Sequence, residues 1–106
     1  MFEDWKPIFH GNRTLHMVNR PVMVNTIRAF PPSGIKRNQQ PLWIRAAGLR
    51  LEMWMPGYQT AWLLREDSTW LAAVTVEAAS SNGLSRMMLQ LWLLPEDITT
   101  DMNAGR

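Results

Sequence analysis

The sequence predicts an all-β domain, either a small barrel or a two-layer roll, and three observations carry that prediction. Residues 49–55 alternate apolar and polar side chains with the period of a half-buried strand. Turn-forming dipeptides, Pro56-Gly57 and Asn82-Gly83 above all, separate apolar runs at short spacing. Nothing reads as a long amphipathic helix. The 106 residues suit a single domain with one core, since a chain of this size hides somewhat under ~70% of the surface its unfolded form exposes.

The elements follow in chain order. Ile8-Phe9-His10-Gly11-Asn12-Arg13 reads as a type II′ hairpin turn with Gly11 at its first central position, flanked by residues 7–10 and 13–18. This turn sets His10 opposite Arg13 and His16 opposite Pro7, so the two imidazoles diverge. Residues 22–27 are β-rich and start at Pro21, and a strand tolerates proline as its first residue. Residues 31–41 are turn-rich, polar and basic, which predicts an exposed loop. Pro41-Leu42-Trp43-Ile44-Arg45 then leads into the second half.

That half, residues 42–98, is expected to form a four-strand antiparallel meander over residues 48–94. Leu49, Leu51 and Met53 alternate with Arg50, Glu52 and Trp54 up to a Pro56-Gly57 turn, and the returning strand brings Trp62 and Leu64 to the same inner face. An odd-length turn around residues 65–69 must follow if Trp70 is to join them, although no glycine is present to take its left-handed position. Asn82-Gly83 supplies a type I′ turn that opposes Ala78 to Met87, Val76 to Leu89, Val74 to Leu91 and Ala72 to Leu93, an entirely apolar set. The other face pairs Glu77 with Met88, Thr75 with Gln90 and Ala73 with Trp92. With Trp54, Leu63 and Leu71 it is too apolar to stand bare. The strands of residues 1–30 are expected to pack on it, and residues 99–106 to form a flexible tail. In layout, short strands with tight turns and a Trp-rich meander ending in Leu91-Trp92-Leu93-Leu94-Pro95-Glu96-Asp97-Ile98 resemble the SH3-like barrels. The resemblance rests on spacing and carries over no functional residues.

Composition excludes several function classes. Hydrophobic residues are 46% and charged residues 19% of the chain, a globular balance. The absence of cysteine removes disulfides, thiolate nucleophiles and thiolate zinc sites. Acids at Glu3 and Asp4 and a proline at position 7 speak against a secretory signal, and the most apolar window, Met87 to Leu94, is too short to cross a bilayer. A cytoplasmic protein with no membrane partner is expected. His10 and His16 make no metal signature. Ser33, Ser68, Ser80, Ser81 and Ser85 all fall at turns, and none sits in a nucleophile elbow. The acid pairs Glu66-Asp67 and Glu96-Asp97 are sequence neighbours whose side chains diverge, unlike two carboxylates facing across a cleft. No catalytic residue, metal site or cofactor is expected.

Charge is divided along the chain. Residues 1–50 hold Lys6, Arg13, Arg20, Arg28, Lys36, Arg37, Arg45 and Arg50 against Glu3 and Asp4, whereas the second half carries an acidic excess. Mutual attraction of the two halves is the simplest reading; a basic surface for nucleic acid or an acidic partner is the second. Two candidate binding sets result. Arg50, Trp54, Arg86 and Trp92 combine cations and rings on the outer meander face, the chemistry by which peptides dock or unpaired bases stack. Lys36 and Arg37, with Arg45, offer cations for an anionic ligand. The expectation is a non-enzymatic interaction module that binds a protein partner or a second copy of itself through the Trp-bearing face. A nucleic-acid-binding small barrel using the basic half and the 33–40 loop is the alternative.

Overall fold

The computed structural model describes residues 2–30 and 40–104. The expected loop at 31–41, with Lys36 and Arg37, therefore lies outside the described residues except at its last two positions. The chain is mostly β, with antiparallel pairing throughout. Short strands β1 (Ile8–Phe9) and β2 (Asn12–Arg13) form a separate hairpin. The main sheet contains β3 (Leu15–Asn25), β4 (Leu49–Arg50), β5 (Trp54–Leu64), β6 (Trp70–Ser80), β7 (Arg86–Leu93) and β8 (Ile98–Thr99). Helices α1 (Thr26–Ala29) and α2 (Leu42–Ala47) are short.

Across the main sheet the order is β7, β6, β5, β3, β8. Ala79 pairs with both Arg86 of β7 and Arg50 of β4, so β4 takes the edge of β6 that β5 occupies further along. A 3-10 turn at Pro95–Asp97 carries the chain from β7 at one margin to β8, which pairs with Met23 and Val24 of β3 at the other. The sheet thus curls until its margins are joined by a few residues of chain. It does not close into a barrel, because no ladder links β7 with β3.

The β6–β7 hairpin has the expected register: Ala78↔Met87, Val76↔Leu89, Val74↔Leu91 and Ala72↔Leu93 on one face, Glu77↔Met88, Thr75↔Gln90 and Ala73↔Trp92 on the other. Its turn differs. Asn82 does not adopt positive φ and Gly83 does, at 74°, so the link is a four-residue loop, 81–84, rather than a two-residue type I′ turn. Two- and four-residue loops centred on one bond give the same register. Asn82 Oδ1 accepts the Ser80 hydroxyl at 2.6 Å and the Leu84 N–H at 3.0 Å, and the Asn82 and Ser81 N–H groups donate to Ala46 and Gly48 carbonyls of the α2 end. Such local side-chain acceptance is what suits asparagine to turns.

Between β5 and β6 the loop is odd, as required, and pairs Leu64 with Trp70. The missing glycine is replaced by Ser68, held at φ 72°. Asp67 supports the turn by accepting the Thr69 hydroxyl at 2.5 Å and its N–H at 3.1 Å. These two bonds, the hydroxyl first, with Arg65 adding a smaller share, hold the Asp67 carboxyl below the usual aspartate range.

Five local expectations are corrected. Pro56-Gly57 is not a turn: it lies inside β5, where Gly57 pairs with Val22 and Pro56 with Met23. The expected strand through Leu49, Leu51 and Met53 shrinks to β4, and these three side chains are exposed instead of inner-facing. The first hairpin is shifted by one residue, Phe9↔Asn12 and Ile8↔Arg13, with His10 at φ 49° and Gly11 at φ 81° as its central pair; positive φ at both positions is the type I′ requirement. Residues 42–47 form helix α2, bracketed by Pro41 and Gly48, and strand β3 runs through Pro21 instead of starting there.

Gly57 explains why a Pro-Gly dipeptide belongs inside a strand here. A Cβ at this position would stand 2.9 Å from the Thr75 carbonyl oxygen and from a methyl of each of Val74 and Val76. The curl brings β5 that close to β6, and a residue with no side chain is what the approach requires. The inner face holds Val22, Val24, Ala72, Val74, Val76 and Leu93, with Met55, Trp62, Leu89, Leu91 and Ile98 packed against them. Extra residues at Thr60 in β5 and at Val18-Asn19 in β3 break the ladders at one level, and such bulges increase local twist. Gln59, fully buried there, is satisfied: its Oε1 accepts Arg20 Nε at 2.8 Å and its Nε2 donates to the Ala61 carbonyl at 3.1 Å.

Cover for the outer face comes from a smaller source than expected. Leu15, Ala61 and Ala73 form a second buried cluster with Phe2 and Leu63, and β3 adds to the sheet edge to edge. Trp5 Nε1 donates to the Thr14 hydroxyl at 3.1 Å, tying this leading segment to the start of β3. At the opposite margin Arg28 of α1 forms an ion pair with Asp97, whose side chain is almost fully buried; this pair joins the basic half of the chain to the acidic half.

Candidate functional site

Register decides what the outer face presents. Paired residues of an antiparallel sheet share a face, so the ladders define rows across it. One row runs Met17, Ala61, Ala73, Trp92 over β3, β5, β6 and β7; the next runs Pro21, Tyr58, Thr75, Gln90. Glu77 with Met88 follows, and then Arg50, Ala79, Arg86. Phe2 covers the two alanines in the middle of the first row and meets the Trp92 ring edge-on, with centroids 6.0 Å apart. The larger side chains around this cover remain in solvent: Met17 is 65% exposed, Met88 61%, Tyr58 43% and Trp92 41%. A groove of about 450 Å³ runs beside them, lined by Pro21, Pro56, Tyr58, Glu77, Met88 and Met102 among others.

Of the residues singled out by sequence, Arg50 and Arg86 flank Ala79 in the same row. Each also has an acidic neighbour, Arg50 with Glu52 at 3.4 Å and Arg86 with Glu77 at 3.3 Å. Trp92 lies at the far end of β7 from Arg86. Trp54 is half-buried and pairs with Asn25 of β3. Arg45, on α2, lines a separate pocket of about 730 Å³ together with Arg50, Gln40, Ile44, Leu49 and Ser81. The structure thus joins one member of each expected set, Arg45 and Arg50, and separates Trp92 from both. Lys36 and Arg37 are outside the described residues.

A further constellation was not visible in the sequence. His16 pairs with Trp62, and the His16 ring lies 5.3 Å from that of Trp70. With Pro95 these rings line an apolar cleft of about 390 Å³ at one end of the inner face, and the Arg20 guanidinium sits 5.7 Å from the Trp62 ring centre, within cation–π range. Trp62 and Trp70 were expected on one face; what brings His16 to them is the pairing of β3 with β5, between segments separated by most of the first half of the chain. No group of three or more His, Asp or Glu side chains able to hold a metal stands among the described residues, and no described helix is long and apolar enough to cross a membrane. Comparison with protein-family models, curated proteins and solved structures finds no match to this chain.

Proposed function

We propose that this protein is a non-enzymatic interaction module that engages a protein partner through the outer face of its sheet. The observation that supports this reading is that Met17, Tyr58, Met88 and Trp92 stand exposed on one face of the sheet, on strands β3, β5 and β7. Methionine and aromatic side chains are the types that concentrate in protein interfaces, methionine because it adapts to the shape it meets. The Glu77–Arg86 pair and Arg50 supply a polar margin, the arrangement of an apolar centre with a charged rim. On this reading the curled sheet is an open variant of the SH3-like layout that leaves one broad face for docking.

Nucleic-acid binding is the second reading, favoured by the meeting of Arg45 and Arg50 in one pocket. A photo-crosslinking residue at position 88 tests both, with position 84, at the tip of the β6–β7 loop, as control. The expected result is discrete protein adducts at 88 that are absent at 84 and unchanged by nuclease. Adducts at 88 that nuclease removes, or equal labelling at both positions, would overturn the protein-binding reading. Salt gives a second discriminator: a complex built on phosphate contacts weakens steeply as salt rises, and one centred on Trp92 and Met88 does not.

A further inference from the structure

Resting on the reading above, we infer that the partner is a second copy of this chain, added antiparallel along the open edge of β7 about a two-fold axis at Gln90. Strand β7 pairs with β6 over eight residues, and among the described residues with nothing else. The Ser80 N–H donates to the Ser85 carbonyl; by the alternation of an antiparallel ladder, Met87, Leu89, Leu91 and Leu93 then direct their N–H and C=O groups to β6. Arg86, Met88, Gln90 and Trp92 direct theirs outward. These outward groups form a ladder with no partner strand, and a β-strand is what fits it.

Natural edges are blunted by proline, lysine, bulges or a covering strand. The other margin of the sheet is: β3 carries a bulge, Arg20 and Pro21, and β8 covers Met23 and Val24. Strand β7 has no proline, lysine or bulge, and its one charge, Arg86, sits at its end beside Glu77. Both of its faces are apolar, with Met88 and Trp92 exposed on one and Met87 on the other.

The sequence of β7 is also self-complementary. A two-fold axis at Gln90 opposes Met88 to the partner's Trp92, Leu89 to the partner's Leu91, Met87 to the partner's Leu93, and the Gln90 amides to each other. Every apolar side chain meets an apolar one on its own face. The two Arg86 side chains go to opposite ends, whereas a parallel arrangement would set them side by side. Such an isologous contact uses one patch twice and closes as a dimer. It extends each sheet into the other and covers Met87, Met88 and part of Trp92.

The lack of cysteine makes the test direct. Sedimentation of the full chain at tens of micromolar is expected to give twice the chain mass. Gln90→Cys is expected to form a symmetric intermolecular disulfide under mild oxidation, and Leu84→Cys, on the loop tip, is not. Gln90→Pro removes an N–H that points away from β6, so it is expected to give a folded monomer, with Gln90→Lys as a milder variant to the same end. A monomeric wild type, a dimer unaffected by both variants, or equal crosslinking of the two cysteine variants would overturn the inference. If the wild type is monomeric while the probe at position 88 still captures another protein, the dimer falls and the interaction reading stands. If the probe captures nothing, both fall.

Discussion

Replacing Gly57 by alanine tests the least expected feature of the fold, a Pro-Gly dipeptide within a strand. The added Cβ would meet three atoms at 2.9 Å, where ordinary contact begins at 3.4 Å. Each must therefore recede by about half an ångström, a distance over which van der Waals repulsion is steep. Two of the atoms are methyls of Val74 and Val76, which are fully buried in the core. The third is the Thr75 carbonyl oxygen, part of a strand paired on both sides. Overpacking of this kind costs about 1–3 kcal/mol. A loss of about 2 kcal/mol lowers the melting temperature of a domain this size by about 8–16 °C. Denaturant melts followed by far-UV circular dichroism measure it. Gly83→Ala is the control: it has positive φ but open space, so it bears only the conformational cost of about 1 kcal/mol. Val76→Ala in the Gly57→Ala background removes one of the three contacts and leaves the carbonyl, so the double variant is expected to lose less than the sum of the singles. A Gly57→Ala protein within about 0.5 kcal/mol of wild type, strictly additive with Val76→Ala, would refute the close approach and restore the exposed turn.

Other substitutions probe the supports around this core. Ser68→Gly relieves positive φ in a non-glycine residue and is expected to stabilise the protein by about 0.5–1 kcal/mol; a loss of stability would contradict the turn geometry. Asp67 has its folded-state pKa depressed, so its contribution is present above the unfolded value of about 3.9 and is lost as pH falls through the lower folded value. Melting temperatures of wild type and Asp67→Asn are therefore expected to differ near neutrality and to converge in acid, and a constant gap would remove Asp67 from the account. Arg28→Ala strands the nearly buried Asp97 carboxylate at a cost of about 1–2 kcal/mol, reduced from the fully buried case because Arg28 is half in solvent; an unchanged denaturation midpoint would refute the pairing. Phe2→Ala uncovers Ala61 and Ala73 and is expected to cost about 1–2 kcal/mol while raising the quenching of tryptophan fluorescence by acrylamide. Unchanged quenching would mean that Phe2 does not cover the face.

The parts of this fold that were legible in the sequence are those fixed by parity over short distances. In the β6–β7 hairpin every opposed pair adds to the same sum whichever turn connects the strands, so the apolar set Ala72, Val74, Val76 and Ala78 found its partners even though the turn type was misread. The same logic required an odd loop before Trp70, and Leu64↔Trp70 obeys it with Ser68 in place of glycine. Pro56-Gly57 misled because a dipeptide that favours a turn also favours any place where a side chain cannot fit, and only the tertiary contact with Thr75 tells the two apart. Helix α2 did leave a signal in Pro41, Ala46, Ala47 and Gly48, a helix-compatible run between an N-terminal proline and a terminal glycine. The pairing of β3 with β5 left none, since it joins distant segments across a register shift. With it went the aromatic cleft of His16, Trp62 and Trp70, and the rows that set Met17 and Tyr58 on one surface with Trp92.

The return of β8 to β3 has a consequence for how the chain acquires its shape. The β6–β7 hairpin forms from neighbouring segments and needs only a short loop to close. The contact of Ile98 and Thr99 with Val24 and Met23 joins segments far apart in sequence, and contacts of such high sequence separation form late because loop entropy is spent before they give anything back. On the ribosome β3 waits for Asp97, Ile98 and Thr99 to emerge, and until then β8 does not cover Met23 and Val24 and Arg28 lacks Asp97. That interval is when a nascent chain can exchange a strand with its neighbour.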